Sequence, residues 1–478
     1  MQNYLEGYDY SAIHKRAKEV ILNTKRLKKS AVDKYMNYFH TKCLGSKNTI
    51  EEAKKLIPGG IQHNLANNYP FAINCVKAEG PYLYDIDGNR YIDFLQAGGP
   101  TILGNNYPPI TKVVIETLKN IGSLTGLYGD YELEFAKAIN RYYPSVEKFR
   151  MLASGTEAAM VAIRLARAYT NKKNVIKIKG CYHGWSDQLM YELRSFGSKF
   201  EAAVGVPEEC YRYIQAVTPN DLLELEQQFK ENEAKGGTAT FIMESIGQDS
   251  GALPLTQAYH EKARELCDHY GAVLIYDEVV TAFRIGMGGA QAHYCIKPDL
   301  TVFGKVIAGG YHGGGVGGKS EIMNLLTAGI TLGHSTKVMV GGTLTANPIS
   351  CKAGYTTICE LERTDAHKKL KKASDAFIKD VADLANKYQI PSLIFNQESI
   401  LHIDLCGMQH VSSFTEWSKK EIEKFTALAM QAMHEYAMAM AAEGIIVAGG
   451  NKSYINLQTV DVLDDALSAI ERVFSQYE

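Results

Sequence analysis

No two of the nine cysteines form a C-x-x-C pair: they fall singly at 43, 75, 181, 210, 267, 295, 351, 359 and 406, an odd set. That pattern argues against a disulfide framework and against a zinc site, and suits reduced cytosolic thiols. Nowhere do 18 apolar residues run together, and the amino-terminal MQNYLEGYDYSAIHKRAKEV has no continuous apolar core. Neither a spanning helix nor a signal peptide is expected, and a cytoplasmic location is. Net charge is nearly absent too: 51 Lys and Arg against 53 Asp and Glu leave −2. This balance gives no overall case for nucleic acid or an anionic membrane as partner.

What is present is ordinary globular material, 46% apolar and 22% charged over 478 residues, long enough for a large domain with a smaller companion. Residues 1–57 stand apart, with twelve Lys or Arg against six Asp or Glu, a local +6 that leaves the remainder at −8. Amphipathic helical spacing runs from about Ser11 to Leu56. The expected outcome is a helical extension packed on its own subunit or a dimer mate, and a nucleic-acid-binding arm is the alternative. From 58 to 125 the chain reads as the first part of a small domain, including GPYLYDIDGNRYIDF, where Tyr82, Tyr84 and Ile86 alternate before Asp87-Gly88-Asn89: a hairpin. Residues 126–345 alternate helix-length segments with the apolar runs TATFIMES, AVLIYDEV and LTVFGK. This is the mark of a mostly parallel α/β sheet, whose ligand sites lie at the carboxyl ends of its strands. Residues 346–478, helix-rich with the strands SILHIDL and SYINLQT, read as a smaller α+β lobe.

The chemistry gathers at strand ends. Asp277 closes AVLIYD, Glu244 closes TATFIME, and Lys305 closes LTVFG before a stretch with seven glycines in ten residues, 309–318. A carboxylate beside a buried strand needs a cationic or hydrogen-bonding partner, although a solvent-facing loop aspartate is the plain alternative. Most lysines are surface charges, but a desolvated one is an amine nucleophile. In MLASGTEAAM, Ser154 and Glu157 form a capping box, and the Ser-Gly-Thr helix start offers amides, hydroxyls and a positive dipole end to a phosphate. It is neither G-x-x-x-x-G-K-[ST] nor G-x-G-x-x-G. Tyr182 and His183 follow the VIKIK alternation, where an aromatic can cover a flat ring. Together these are an amine for a Schiff base, a carboxylate for a pyridinium nitrogen, a phosphate seat and an aromatic lid. That combination meets the needs of pyridoxal 5′-phosphate.

In SGTEAAMVAIRLARAY, KGCYHGWSD, AVLIYDEVVTAFR, PDLTVFGKVIAGG and GGTLTANP, over about residues 57–478, the sequence resembles the class III aminotransferases of fold type I, nearest the glutamate-1-semialdehyde aminomutase branch. The resemblance implies a Schiff base on Lys305 and pairing of Asp277 with the ring nitrogen. It implies that Gly155 and Thr156 beside Ser154 hold the phosphate, with Tyr182 and Val279 on opposite ring faces. His183 belongs to the shared YHG run, Glu244 would lie toward the ring hydroxyl, and Thr343 would reach the phosphate of a neighbouring subunit. The active site would then be shared in a homodimer. Two places depart from the aminomutases. Their P-G-G-V-N-S-P-V-R reads PGGIQHNLA here, with His63 and Ala66 at the serine and arginine places, and their S-W-G-P reads AGGP, where Gly99 is taken to replace the pocket tryptophan. The expected reaction is therefore amino transfer between an amino acid or ω-amine and a 2-oxo acid. An aminomutase, a racemase or epimerase with His63 or His183 as second base, and a non-catalytic binding module are the alternatives.

Overall fold

The computed structural model describes residues 4–193, 202–327, 338–414, 416–448 and 452–478. They form two compact units, Pro108–Thr364 and the pair of segments Met1–Tyr107 with Asp365–Glu478.

Pro108–Thr364 is built on a seven-stranded sheet. Its strands, in spatial order, are Lys148–Leu152, Gly314–Gly318, Leu300–Gly304, Val273–Asp277, Thr238–Glu244, Asn174–Ile178 and Ile214–Val217. Only Gly314–Gly318 runs antiparallel, against both of its neighbours. The inner parallel strands, Asn174–Ile178, Thr238–Glu244, Val273–Asp277 and Leu300–Gly304, are buried almost throughout because helices cover both faces, whereas the edge strand Lys148–Leu152 exposes Lys148. Alternate side chains divide between two cores: Ile242, Ile275 and Val302 pack with Ala158, Ala162 and Leu165 on one face, and Phe241, Met243, Leu274 and Tyr276 pack with Phe229, Tyr259 and Ala263 on the other.

The glycine run after Lys305 is thus partly a strand, and its missing side chains are filled by neighbours. A Cβ on Gly315 would lie 2.4 Å from the Phe149 ring, one on Gly317 2.4 Å from Val146, and one on Gly314 2.3 Å from the backbone of Ser154. Bare backbone here lets the Ser154 turn settle directly against the sheet.

In the other unit, the expected amphipathic stretch forms three helices, Tyr10–Leu22, Lys29–Lys42 and Leu44–Ala53. Ile13, Ala17, Val20 and Ile21 pack on Leu393, Phe395, Val411 and Phe414. Each large buried side chain in that seam is worth about 1.5–3 kcal/mol. Three of the segment's cations meet carboxylates of the same unit: Lys18 with Glu416, Arg26 with Glu435, and Lys34 with Glu443. The extension is thereby packed on its own chain. The hairpin forms as expected, Tyr82–Asp85 pairing antiparallel with Arg90–Asp93. SILHIDL and SYINLQT supply Ile400–Asp404 and the shorter Lys452–Tyr454 of a three-stranded sheet.

Candidate active site

Strand register brings the chemical groups together. Glu244 pairs with Asp277, and Asp277 with Val302, so two carboxylates stand side by side at the carboxyl edge and Lys305 follows one residue past the end of the next strand. Lys305 is half-buried, at φ 50, in the left-handed region. A non-glycine residue there costs on the order of 1–3 kcal/mol, and such strain is sustained where the surroundings fix the backbone.

Both oxygens of Asp277 are held. Oδ2 lies 2.7 Å from His183 Nδ1, and Oδ1 accepts from the Val279 amide at 3.0 Å. His183 is buried, and its Nε2 has no partner among the described residues. The histidine therefore stands behind the aspartate as its hydrogen-bonding support.

The helix Gly155–Thr170 begins at the end of the Lys148–Leu152 strand. Ser154 Oγ accepts from Glu157 N at 3.2 Å, while the Glu157 carboxylate takes the Ala153 amide at 2.9 Å, one residue earlier than the capping box expected. First-turn amides have no intrahelical acceptor, so those of Gly155 and Thr156 face outward. An added Cβ on Gly155 would come within 2.9 Å of Val279 Cγ2, and one on Gly304 within 2.9 Å of Val279 Cγ1. Val279 is thus wedged between the phosphate-competent helix start and the residue before Lys305. Gly184, at φ +87, sits against Thr156, its absent Cβ 2.7 Å from Thr156 Oγ1.

Tyr182 is 54% exposed, and partial burial together with the Asp277 charge raises its phenol. Glu244 spends both oxygens on backbone: Oε1 accepts from Tyr182 N at 2.7 Å and Oε2 from Ser250 N at 3.2 Å. Burial pushes its carboxyl up, and the neighbouring Asp277 adds to this. Thr343 is exposed and lines a cavity of about 640 Å³ with Leu124, Leu127 and Tyr128. His63 and Gly99 belong to the other unit, where His63 Nδ1 accepts from Leu65 N at 3.1 Å and caps a short turn. Read position by position, S-W-G-P on Ala97–Pro100 puts the tryptophan at Gly98, not Gly99. Both glycines have positive φ, +84 and +115, so neither would accept a large side chain without strain.

Sequence reasoning missed Lys177. The VIKIK alternation suggests a half-solvated strand, yet every position of Asn174–Ile178 is buried, and Lys177 is 0% exposed. The only sequence signal was its place three residues before Gly180, the glycine that opens the Tyr182 turn.

Around this strand edge lie an amine, a braced carboxylate, outward helix amides and an aromatic ring. This donor set fits pyridoxal phosphate, and the fold is that of the fold type I pyridoxal-phosphate enzymes. The sequence pattern described as Aminotransferase class-III matches residues 64–469, so the chain belongs to that family, whose enzymes use this cofactor. Solved structures with the same fold include an omega-transaminase from Sphaerobacter thermophilus, 24% identical over 92% of this chain and 99% of that one, TM-score 0.82. A beta-phenylalanine aminotransferase from Variovorax paradoxus is 21% identical over 93% and 96%, TM-score 0.79. A glutamate-1-semialdehyde-aminomutase from Pseudomonas aeruginosa PAO1 is 19% identical over 94% and 99%, TM-score 0.80. No helix among the described residues is long and apolar enough to cross a membrane.

Proposed function

We propose that this aminotransferase moves an amino group between an amino acid or ω-amine and a 2-oxo acid, with Lys305 as its amine and Asp277 as its ring-nitrogen partner. The observation that carries the assignment is the 2.7 Å contact of Asp277 Oδ2 with buried His183, because it fixes that carboxylate at the end of the strand next to that of Lys305. When bound, pyridoxal phosphate supplies an electron sink that acidifies the Cα–H of the amino donor. Asp277 would keep the ring nitrogen protonated, and His183 would keep that carboxylate aimed. Ser154, Gly155 and Thr156 would hold the phosphate through hydroxyls, amides and the helix dipole. Tyr182 and Val279 would lie on either side of the ring. Lys305 Nζ would take the Cα proton and return it.

Lys305→Ala should abolish turnover, a loss on the order of 10²–10⁴-fold or more from the proton-transfer role alone, and should remove the visible-edge absorbance of bound cofactor while leaving the fold intact. Persistent turnover would refute the assignment. Adding a panel of L-, D-, β- and ω-amines without any 2-oxo acid should bleach that band for the true donor class. Positional exchange of the amine without bleaching would indicate an aminomutase, and loss of optical activity a racemase.

The same reading includes a homodimer with a shared site. Leu127, Tyr128 and Met339 are 76%, 70% and 81% exposed, and the first two line the Thr343 cavity, which a second copy would cover. Tyr128→Glu should convert a dimer to a monomer in sedimentation velocity and weaken cofactor retention; an unchanged sedimentation coefficient would count against this interface. Nine free cysteines support a reducing, cytoplasmic setting.

A further inference from the structure

Lys177 and Glu244 meet the same peptide group from opposite ends. Lys177 Nζ donates to the Cys181 carbonyl at 2.9 Å, and Glu244 Oε1 accepts from the Tyr182 amide at 2.7 Å. These are the C=O and N–H of one planar unit. Its dipole thus has a cation at its negative end and an anion at its positive end, the arrangement that compensates two charges withdrawn from water. Lys177 also donates to the Tyr191 carbonyl at 2.8 Å, tying the outgoing leg of the turn to its return, where Gly180 N donates to Glu192 O at 2.9 Å.

We infer that Lys177 and Glu244 are positioning residues, a buried charge couple bridged by the Cys181–Tyr182 peptide, which fixes where Tyr182 and His183 stand. Their role in the reaction rests on the assignment of those two residues to the cofactor site made above. Lys177 sits in the middle of its strand, opposite Ala216 and Ile242, where no solvent reaches it. An ammonium there has no surface role, and its hydrogen-bond partners all belong to the turn. Burial pulls it down to about 8, with Cys181, Glu244 and Glu192 as the facing groups that oppose the fall. Glu244 is shifted the other way, as expected of a carboxyl in the same enclosure. Immediately downstream, His183 reaches Asp277, so a slack peptide at 181–182 would release both the ring-facing tyrosine and the support of the aspartate.

The test uses the full-length chain carrying Lys177→Met, Glu244→Gln, or both, with and without pyridoxal phosphate. In the cofactor-free proteins, hydrogen exchange of the peptide spanning 180–193 should rise at least tenfold in either single variant, while the Val273–Asp277 strand stays protected. Cofactor affinity should fall about tenfold, and the absorbance maximum of the bound cofactor should shift. The double variant should be less impaired than the two single losses combined, since neither charge is then left alone. Unchanged exchange over 180–193 in soluble variants would overturn the inference. Should Lys177→Met not fold, Glu244→Gln alone decides, because it keeps the side-chain volume and removes the charge. Faster exchange with unchanged affinity and spectrum would leave the grip on the peptide standing and overturn the assignment of Tyr182 and His183 to the cofactor.

Discussion

An alanine at 155 would press its methyl to 2.9 Å from Val279 Cγ2, closer than carbon atoms settle, and Gly155 begins the helix that would seat the phosphate. Gly155→Ala should therefore raise the cofactor dissociation constant about tenfold, equal to about 1.4 kcal/mol. Gly155→Ala with Val279→Ala should recover most of it, as read by fluorescence titration. If the double variant binds no better, the wedge is not what limits the seat. At Asp277, His183→Gln removes a charge-assisted contact worth about 1.5–3 kcal/mol. By that figure kcat/KM should fall roughly tenfold to a hundredfold, with KM moved less than kcat. Lys305, Asp277 and the Ser154 turn were legible because a polar residue ending an apolar run is conspicuous. The job of Glu244 was not: a glutamate at a strand end looks the same whether it faces a ligand or two backbone amides. Lys177 was illegible for a deeper reason, since a buried lysine and an exposed one on an alternating strand have identical sequence patterns.

Among the elements, the helix Gln257–Tyr270 shows what burial does to a titratable group. His260 stacks on Tyr294 with ring centroids 3.7 Å apart and lies 2.6 Å from the Tyr276 hydroxyl. Burial, and to a smaller extent His293, pull it down to about 3. The native state thus keeps a neutral imidazole while the unfolded chain takes up a proton below its ordinary value of about 6.5. The stability that His260 contributes is complete above that value and is lost as pH falls toward 3. The deficit of His260→Phe relative to wild type should therefore shrink by about 2 kcal/mol between pH 7 and pH 5, at about 1.4 kcal/mol per pH unit below the unfolded value. Urea unfolding of both proteins at the two pH values measures it, and a constant gap would mean that the native ring takes up its proton just as the unfolded chain does, so that burial does not hold it neutral. The strands around this helix were readable from apolar runs alone. The strand Gly314–Gly318 was not, because its only side chain is Val316 and a bare segment carries no periodicity.

At the scale of the molecule, the basic amino-terminal segment has become part of a core. Its apolar stripe was readable, but its breaks near Asn23 and Cys43 and its packing partners, some 370 residues or more away in sequence, were not. Removing residues 1–28 would uncover Leu393, Phe395, Val411 and Phe414. The truncated protein should lose solubility and unfold at lower temperature, as read by scanning calorimetry and light scattering. A soluble, fully stable truncation would return the segment to the status of a free arm.

A library of single substitutions scored for activity would read this protein in a way its functional groups alone do not foretell. Lys305 and Asp277 would refuse replacement for chemical reasons. Gly314, Gly315 and Gly317, which offer no functional group, would refuse it as firmly, because their empty places are occupied by Ser154, Phe149 and Val146. Intolerance to mutation would therefore mark two populations, residues needed for what they carry and residues needed for what they leave out.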